Sequence, residues 1–182
     1  EVLWRISNAS SKFSELGYTW SQPKVARVRG HSTPVLIFAG GYDLREDEEP
    51  PTANTMGRAI YVVDAESGAH VWSVTHGSAD ACSGDQCTRA NMKWGIPSDV
   101  SLMDTDRDGY VVRLYVGDTG GNLWRVDFEP SGTAPSDWTV SQLAALGCTS
   151  GACTAGTPRK FFYPPEVVPQ PEYDAVFIGS GD

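Results

Sequence analysis

The chain has 182 residues, 40% of them hydrophobic and 20% charged, with a formal net charge of -9. That composition supports a buried core and excludes a disordered polyelectrolyte, and the acidic balance excludes a phosphate-neutralising nucleic-acid surface and electrostatic docking on anionic lipid. No apolar run is long enough to span a bilayer, and no signal-peptide pattern is present, so no membrane insertion by these residues is expected.

In chain order, the first unit opens at Pro23-Lys-Val-Ala-Arg-Val and continues through Pro34-Val-Leu-Ile-Phe-Ala-Gly-Gly-Tyr-Asp43. Asp43-Leu-Arg-Glu-Asp-Glu-Glu-Pro-Pro51 reads as a solvated acidic insertion, with contact to a basic partner as the other reading. Gly57-Arg-Ala-Ile-Tyr-Val-Val-Asp64 then alternates two faces along a strand. The turn Asp64-Ala-Glu-Ser-Gly68 leads into a fourth strand carrying Trp72. Cys82 and Cys87 enclose Ser-Gly-Asp-Gln, and Cys148 and Cys153 enclose Thr-Ser-Gly-Ala. Two small loop disulfides, in an oxidising compartment, are the favoured reading, because both loops lack a supporting histidine. A four-cysteine zinc site is the minority reading. Such short closed loops pin loop tips and add little to a core.

The second unit opens at Pro97-Ser-Asp-Val-Ser-Leu-Met and reaches Asp104-Thr-Asp106-Arg-Asp108-Gly109-Tyr110. Three carboxylates at alternate positions, a glycine at position 6 and a backbone carbonyl at position 7 make the front half of a calcium loop. An ordinary solvated turn is the bland alternative, since Asp and Gly suit turns on their own account. Val112 at position 9 offers no side-chain oxygen and Tyr115 at position 12 offers no carboxylate, so water or Asp118 would complete the shell. Beyond the loop the chain reads as strand, not helix: Arg113-Leu-Tyr-Val-Gly117, a turn at Asp118, then Asn122-Leu-Trp124-Arg-Val-Asp127. Trp72 and Trp124 occupy matching places as residues that pack between sheets. Val140–Leu146 is the clearest helical candidate, and it is short. A third unit runs from Pro164 through Asp174-Ala-Val-Phe-Ile-Gly to Asp182. The recurrence predicts an all-β chain, residues 1–182 forming a partial propeller domain cut at both ends. About two and a half four-stranded blades with long loop insertions are expected, in units near 23–75, 97–140 and 164–182.

Those residues carry a resemblance. The acidic loop and Arg113-Leu-Tyr-Val-Gly-Asp-Thr-Gly-Gly-Asn-Leu-Trp-Arg-Val-Asp127 look like the C-terminal domain of the PilY proteins, tip-associated adhesin and biogenesis factors of bacterial type IV pili. Val35–Asp43, Gly57–Gly68, Trp94–Asp99 and Phe161–Val168 match in the same order. The resemblance implies a modified, quinoprotein-like β-propeller and a non-enzymatic role in pilus extension and retraction, twitching motility and surface attachment. It implies Ca²⁺ held by Asp104, Asp106, Asp108 and the Tyr110 carbonyl, with a further aspartate expected in the family where this chain has Val112. The implied partners are the pilus machinery or minor pilins and a host or abiotic surface ligand. The implied location is the cell surface or pilus tip, or the periplasm and outer membrane, of a Gram-negative bacterium. No Arg-Gly-Asp tripeptide is present, so no integrin-type recognition is expected.

Two other classes compete. Asp64-Ala-Glu-Ser-Gly68-Ala-His-Val-Trp72 is similar to the blade-docking repeat of quinoprotein dehydrogenases, which bind pyrroloquinoline quinone on the propeller axis. The same repeat occurs in periplasmic propeller scaffolds of outer-membrane protein assembly, which have no need of Asp104, Asp106 and Asp108. Packing accounts for Trp72 without either. His31, His70 and His76 are scattered, and none is expected to pair with a serine or cysteine nucleophile.

Overall fold

In a computed structural model, residues 2–48, 52–147 and 159–181 are described. The predicted Cys148–Cys153 bridge lies outside them.

The first sheet is a meander of β1 (Lys24–Ala26), β2 (Val35–Ala39), β3 (Ala59–Asp64) and β4 (His70–His76), each antiparallel to the one before. A hairpin of β5 (Ala81–Ser83) and β6 (Gln86–Arg89) widens it, with β6 lying parallel to β4. The second sheet is a four-stranded antiparallel meander of β7 (Ser101–Met103), β8 (Arg113–Gly117), β9 (Asn122–Asp127) and β10 (Thr139–Ala145). A third unit contributes the hairpin β11 (Glu166–Pro169) and β12 (Asp174–Phe177). The chain is therefore all-β: a β-propeller fragment of two four-stranded blades, the first widened by a hairpin, and the start of a third. No helix among the described residues is long and apolar enough to cross a membrane.

The pleat explains the core. Along β3, Ile60 and Val62 face one way and Ala59, Tyr61 and Val63 the other, and all six residues of the strand are buried. The first set meets Trp72, Val116, Trp124 and Val126 in a core between the two blades. The second set meets Phe13, with Leu36, Phe38 and Leu16 packed around it, so a second apolar layer covers the far face. Trp72 and Trp138 meet across the inter-blade core with ring centroids 5.6 Å apart, and Phe128 stands edge-on to Trp138 at 4.7 Å. Both tryptophans assigned to packing are there: Trp72 is fully buried and Trp124 nearly so.

Three expectations change. Val140–Leu146 is not helical; Val140–Ala145 lies in β10, antiparallel to β9 with a register shift between Gln142 and Ala144. Its Leu-Ala-Ala-Leu run suits a helix, but β9 presents an unpaired edge, and pairing overrides a weak local preference. The acidic insertion is not simply solvated. Leu44–Asp47 forms a 3-10 turn capped by Asp43, and Asp43 and Glu46 are both buried. The connection leaves amide donors without strand partners, and Asp43 accepts from the amides of Arg45, Thr55 and Met56. Finally, Cys87 does more than pin a loop. It is 2% exposed and belongs to the inter-blade core.

Candidate functional site

The acidic loop connects β7 to β8. Its curl is set by backbone geometry that few residue types tolerate. Gly109 has φ +91° and Arg107 φ +61°, both in the left-handed region. Asp104 accepts from the amides of Asp108 (3.2 Å) and Gly109 (2.9 Å), and Asp108 accepts from the Tyr110 amide at 2.8 Å. Desolvation works to raise the Asp104 pKa, yet the backbone hydrogen bonds from Gly109, Arg107 and Asp108 hold it below the ordinary carboxylate range.

The loop gathers Asp104, Asp106 and Asp108 so that one oxygen from each lies within 4.8 Å of the others. Calcium takes oxygens at about 2.3–2.6 Å, so two ligands at opposite poles of one ion stand about 5 Å apart. Three oxygens inside that span can share one ion, and all three are hard carboxylates. The donor set therefore fits Ca²⁺ in chemistry and in spacing.

Asp118 does not join it. It sits beyond the far end of β8, wholly buried in the turn to β9. There it accepts from the amides of Gly120 and Asn122 (each 2.9 Å), the Asn122 side chain (2.8 Å) and Trp124 Nε1 (2.8 Å). Burial pushes its pKa up to about 7 against the pull of those hydrogen bonds. Its role is to organise a turn and fix an inter-blade tryptophan. With Asp118 removed from the ligand set and no oxygen on Val112, water is left to complete the shell.

Asp118 has a counterpart in Asp43, which holds the corresponding β2–β3 connection in the first blade. The two connections touch. Thr119 donates to Glu46 Oε1 at 2.7 Å, and Lys160 Nζ, from the third unit, lies 3.3 Å from Glu46 Oε2. Desolvation of Asp43 is outweighed by its amide donors, so its pKa falls below the usual value. Composition alone gave no hint of this buried knot, but Asp118-x-x-x-Asn122-x-Trp124 carries a readable signal. An aspartate followed by donors two and four residues on is a side-chain-closed turn.

The remaining site residues behave as structure. Cys82 and Cys87 are joined in a disulfide across the β5–β6 register. His70 contacts a serine, though not one placed to act as a nucleophile. Nε2 lies 2.9 Å from Ser73 Oγ, and Nδ1 lies 3.2 Å from Asp85 Oδ2. That is the connectivity of a serine hydrolase relay. Ser73, however, has no exposed surface, so no acyl substrate can reach its hydroxyl. The relay ties β4 to the disulfide hairpin instead.

Comparison with known proteins agrees with this architecture. The family described as the PilY1 beta-propeller domain matches residues 6–146. The type IV pilus biogenesis factor PilY1 homolog of Xylella fastidiosa is 27% identical over 164 residues, covering 90% of this chain and 10% of that protein. The type IV pilus biogenesis factor PilY1 of Pseudomonas aeruginosa strain UCBPP-PA14 is 25% identical over 205 residues, covering 100% of this chain and 15% of that protein. The chain thus spans only a small part of these relatives. The crystal structure of the Pseudomonas aeruginosa PilY1 C-terminal domain superposes with a TM-score of 0.69, at 23% identity, over 99% of this chain and 35% of that one. At that identity the likeness speaks for the fold.

Proposed function

The chain belongs to the PilY1 beta-propeller family, and on that premise we propose that it is a calcium-binding propeller module of a type IV pilus biogenesis factor. In this reading it serves pilus extension and retraction, and through them twitching motility and surface attachment. It works at the cell surface or pilus tip, in contact with the pilus machinery or minor pilins. The observation that carries the calcium reading is the meeting of three carboxylate oxygens within 4.8 Å on the β7–β8 connection.

Ca²⁺ at Asp104, Asp106, Asp108 and the Tyr110 carbonyl would neutralise three like charges and fix the connection between two strands of one blade. The role is structural: the ion would set the shape of an exposed loop that a pilus component could recognise. With no side-chain oxygen at Val112, affinity belongs in the weak extracellular range, about 10⁻⁴–10⁻³ M. Differential scanning fluorimetry in millimolar Ca²⁺ tests this. The wild-type melting temperature should rise, Asp106→Ala should abolish the rise, and Val112→Asp should reach the same rise at lower Ca²⁺. No shift in the wild type would end the calcium reading.

A further inference from the structure

We propose that Arg29 is a built-in counter-cation of the acidic loop, which a divalent ion must displace from Asp108, so that filling the loop is felt in the neighbouring blade. The proposal rests on the calcium reading above and adds a means by which the site is regulated.

Arg29 lies in the β1–β2 connection of the first blade, 79 residues from Asp108 in sequence. Its guanidinium is nonetheless bonded to Asp108 Oδ2. Its Nε stands 3.2 Å from Glu129 Oε1, a charge contact without hydrogen-bond alignment. Its Cζ lies 4.7 Å above the Tyr110 ring centroid, within cation–π range. The backbone supports the same junction, since the Val111 amide donates to the Arg27 carbonyl at 2.8 Å. One arginine of the first blade therefore grips two residues assigned to the metal site in the second, Asp108 by its carboxylate and Tyr110 by its ring.

That grip has a consequence for a metal. Asp108 Oδ1 already accepts from the Tyr110 amide, and Oδ2 is engaged by Arg29. An incoming ion competes with the guanidinium for Asp108, and it meets a positive charge beside the site. Glu129 gives the displaced guanidinium a second partner within reach, and Tyr110 offers its ring. The structure thus contains both the competitor and its alternative resting place. Asp104 and Asp106 form no ion pair of this kind among the described residues.

The test is calcium calorimetry on the whole chain at low salt, comparing wild type with Arg29→Gln and Arg29→Lys. Removing a unit charge from about 6 Å beside a dication should tighten binding about tenfold even at the dielectric of water. Arg29→Gln should show that gain. Arg29→Lys, which keeps the charge without the planar fork, should fall between the two. In the wild type, the Arg29 Nε–H resonance should move as Ca²⁺ is added, and this needs no variant to fold. Calcium binding by Arg29→Gln alone would also support the proposal. Wild-type binding that is unchanged or weakened in Arg29→Gln, or with the Arg29 signal fixed throughout, would overturn the proposal while leaving the calcium reading intact. Failure of every form to bind would remove both.

Discussion

At the scale of single residues, buried polar groups decide more than their number suggests. Asp118 is completely enclosed, and its carboxylate accepts from the amides of Gly120 and Asn122, the Asn122 side chain and Trp124 Nε1. Asp118→Asn would keep one acceptor oxygen and turn an amide donor against Trp124 Nε1 or Asn122. Leaving buried donors without acceptors costs about 1–3 kcal/mol each. Chemical denaturation should therefore show Asp118→Asn less stable by about 3 kcal/mol, although it is nearly isosteric. A loss under half a kcal/mol would mean that the turn does not depend on the carboxylate. His70 makes a pH-dependent contribution. Desolvation, with help from Lys12, lowers its pKa below the ordinary 6.5 despite Asp85. Well above 6.5 both folded and unfolded chains hold the ring neutral. As pH falls through that value the unfolded chain takes up the proton first, so stability drops. His70→Gln should flatten the fall in stability between about pH 7.5 and 5.5 relative to wild type. An NMR titration placing His70 above 6.5 in the folded chain would reverse the sign.

At the scale of elements, each meander follows from alternation and turn chemistry. Gly120 shows how tightly the β8–β9 turn is drawn, because a Cβ there would stand 2.0 Å from the Trp94 ring. Strand β5 has little support of its own. All three residues of β5 are exposed, and it pairs only with β6. The parallel pairing of β6 with β4, the Cys82–Cys87 disulfide and the contacts of Asp85 with His70 and Lys12 hold the hairpin to the sheet. A loop this short loses about 2 kcal/mol of chain entropy in the unfolded state when closed. Replacing both cysteines by serine should raise amide exchange in residues 81–89 first. The global transition should move by a smaller amount, set chiefly by burying a hydroxyl where Cys87 places a sulfur in the core. Uniform acceleration of exchange across both sheets would show that the hairpin is integral to the blade rather than an addition to it.

At the scale of the whole molecule, the two sheets face each other across one apolar layer, and the loops at their margins carry the acidic cluster and the buried polar knot. The strands β2, β3, β8 and β9 were legible because a half-buried or fully buried strand must alternate, and because glycine and aspartate mark where it turns. The gathering of Asp104, Asp106 and Asp108 was legible for the same local reason: the three carboxylates are near neighbours in sequence, and their spacing brings them together. What only the tertiary structure decided involves residues far apart in the chain. Sequence could not place Arg29 against Asp108, or Glu46 between Thr119 and Lys160, because those pairs exist only once separate units pack. Nor could it separate Asp118 from the acidic cluster, since a carboxylate near that loop in sequence is carried to the far end of β8 by the rise of the strand. The Leu143-Ala-Ala stretch read locally as a short helix and became part of strand β10 because β9 offered it an edge. Short-range chemistry thus determined the elements and the loop. Long-range packing determined which charges meet, because burial and ion pairing depend on distances that the order of residues does not fix.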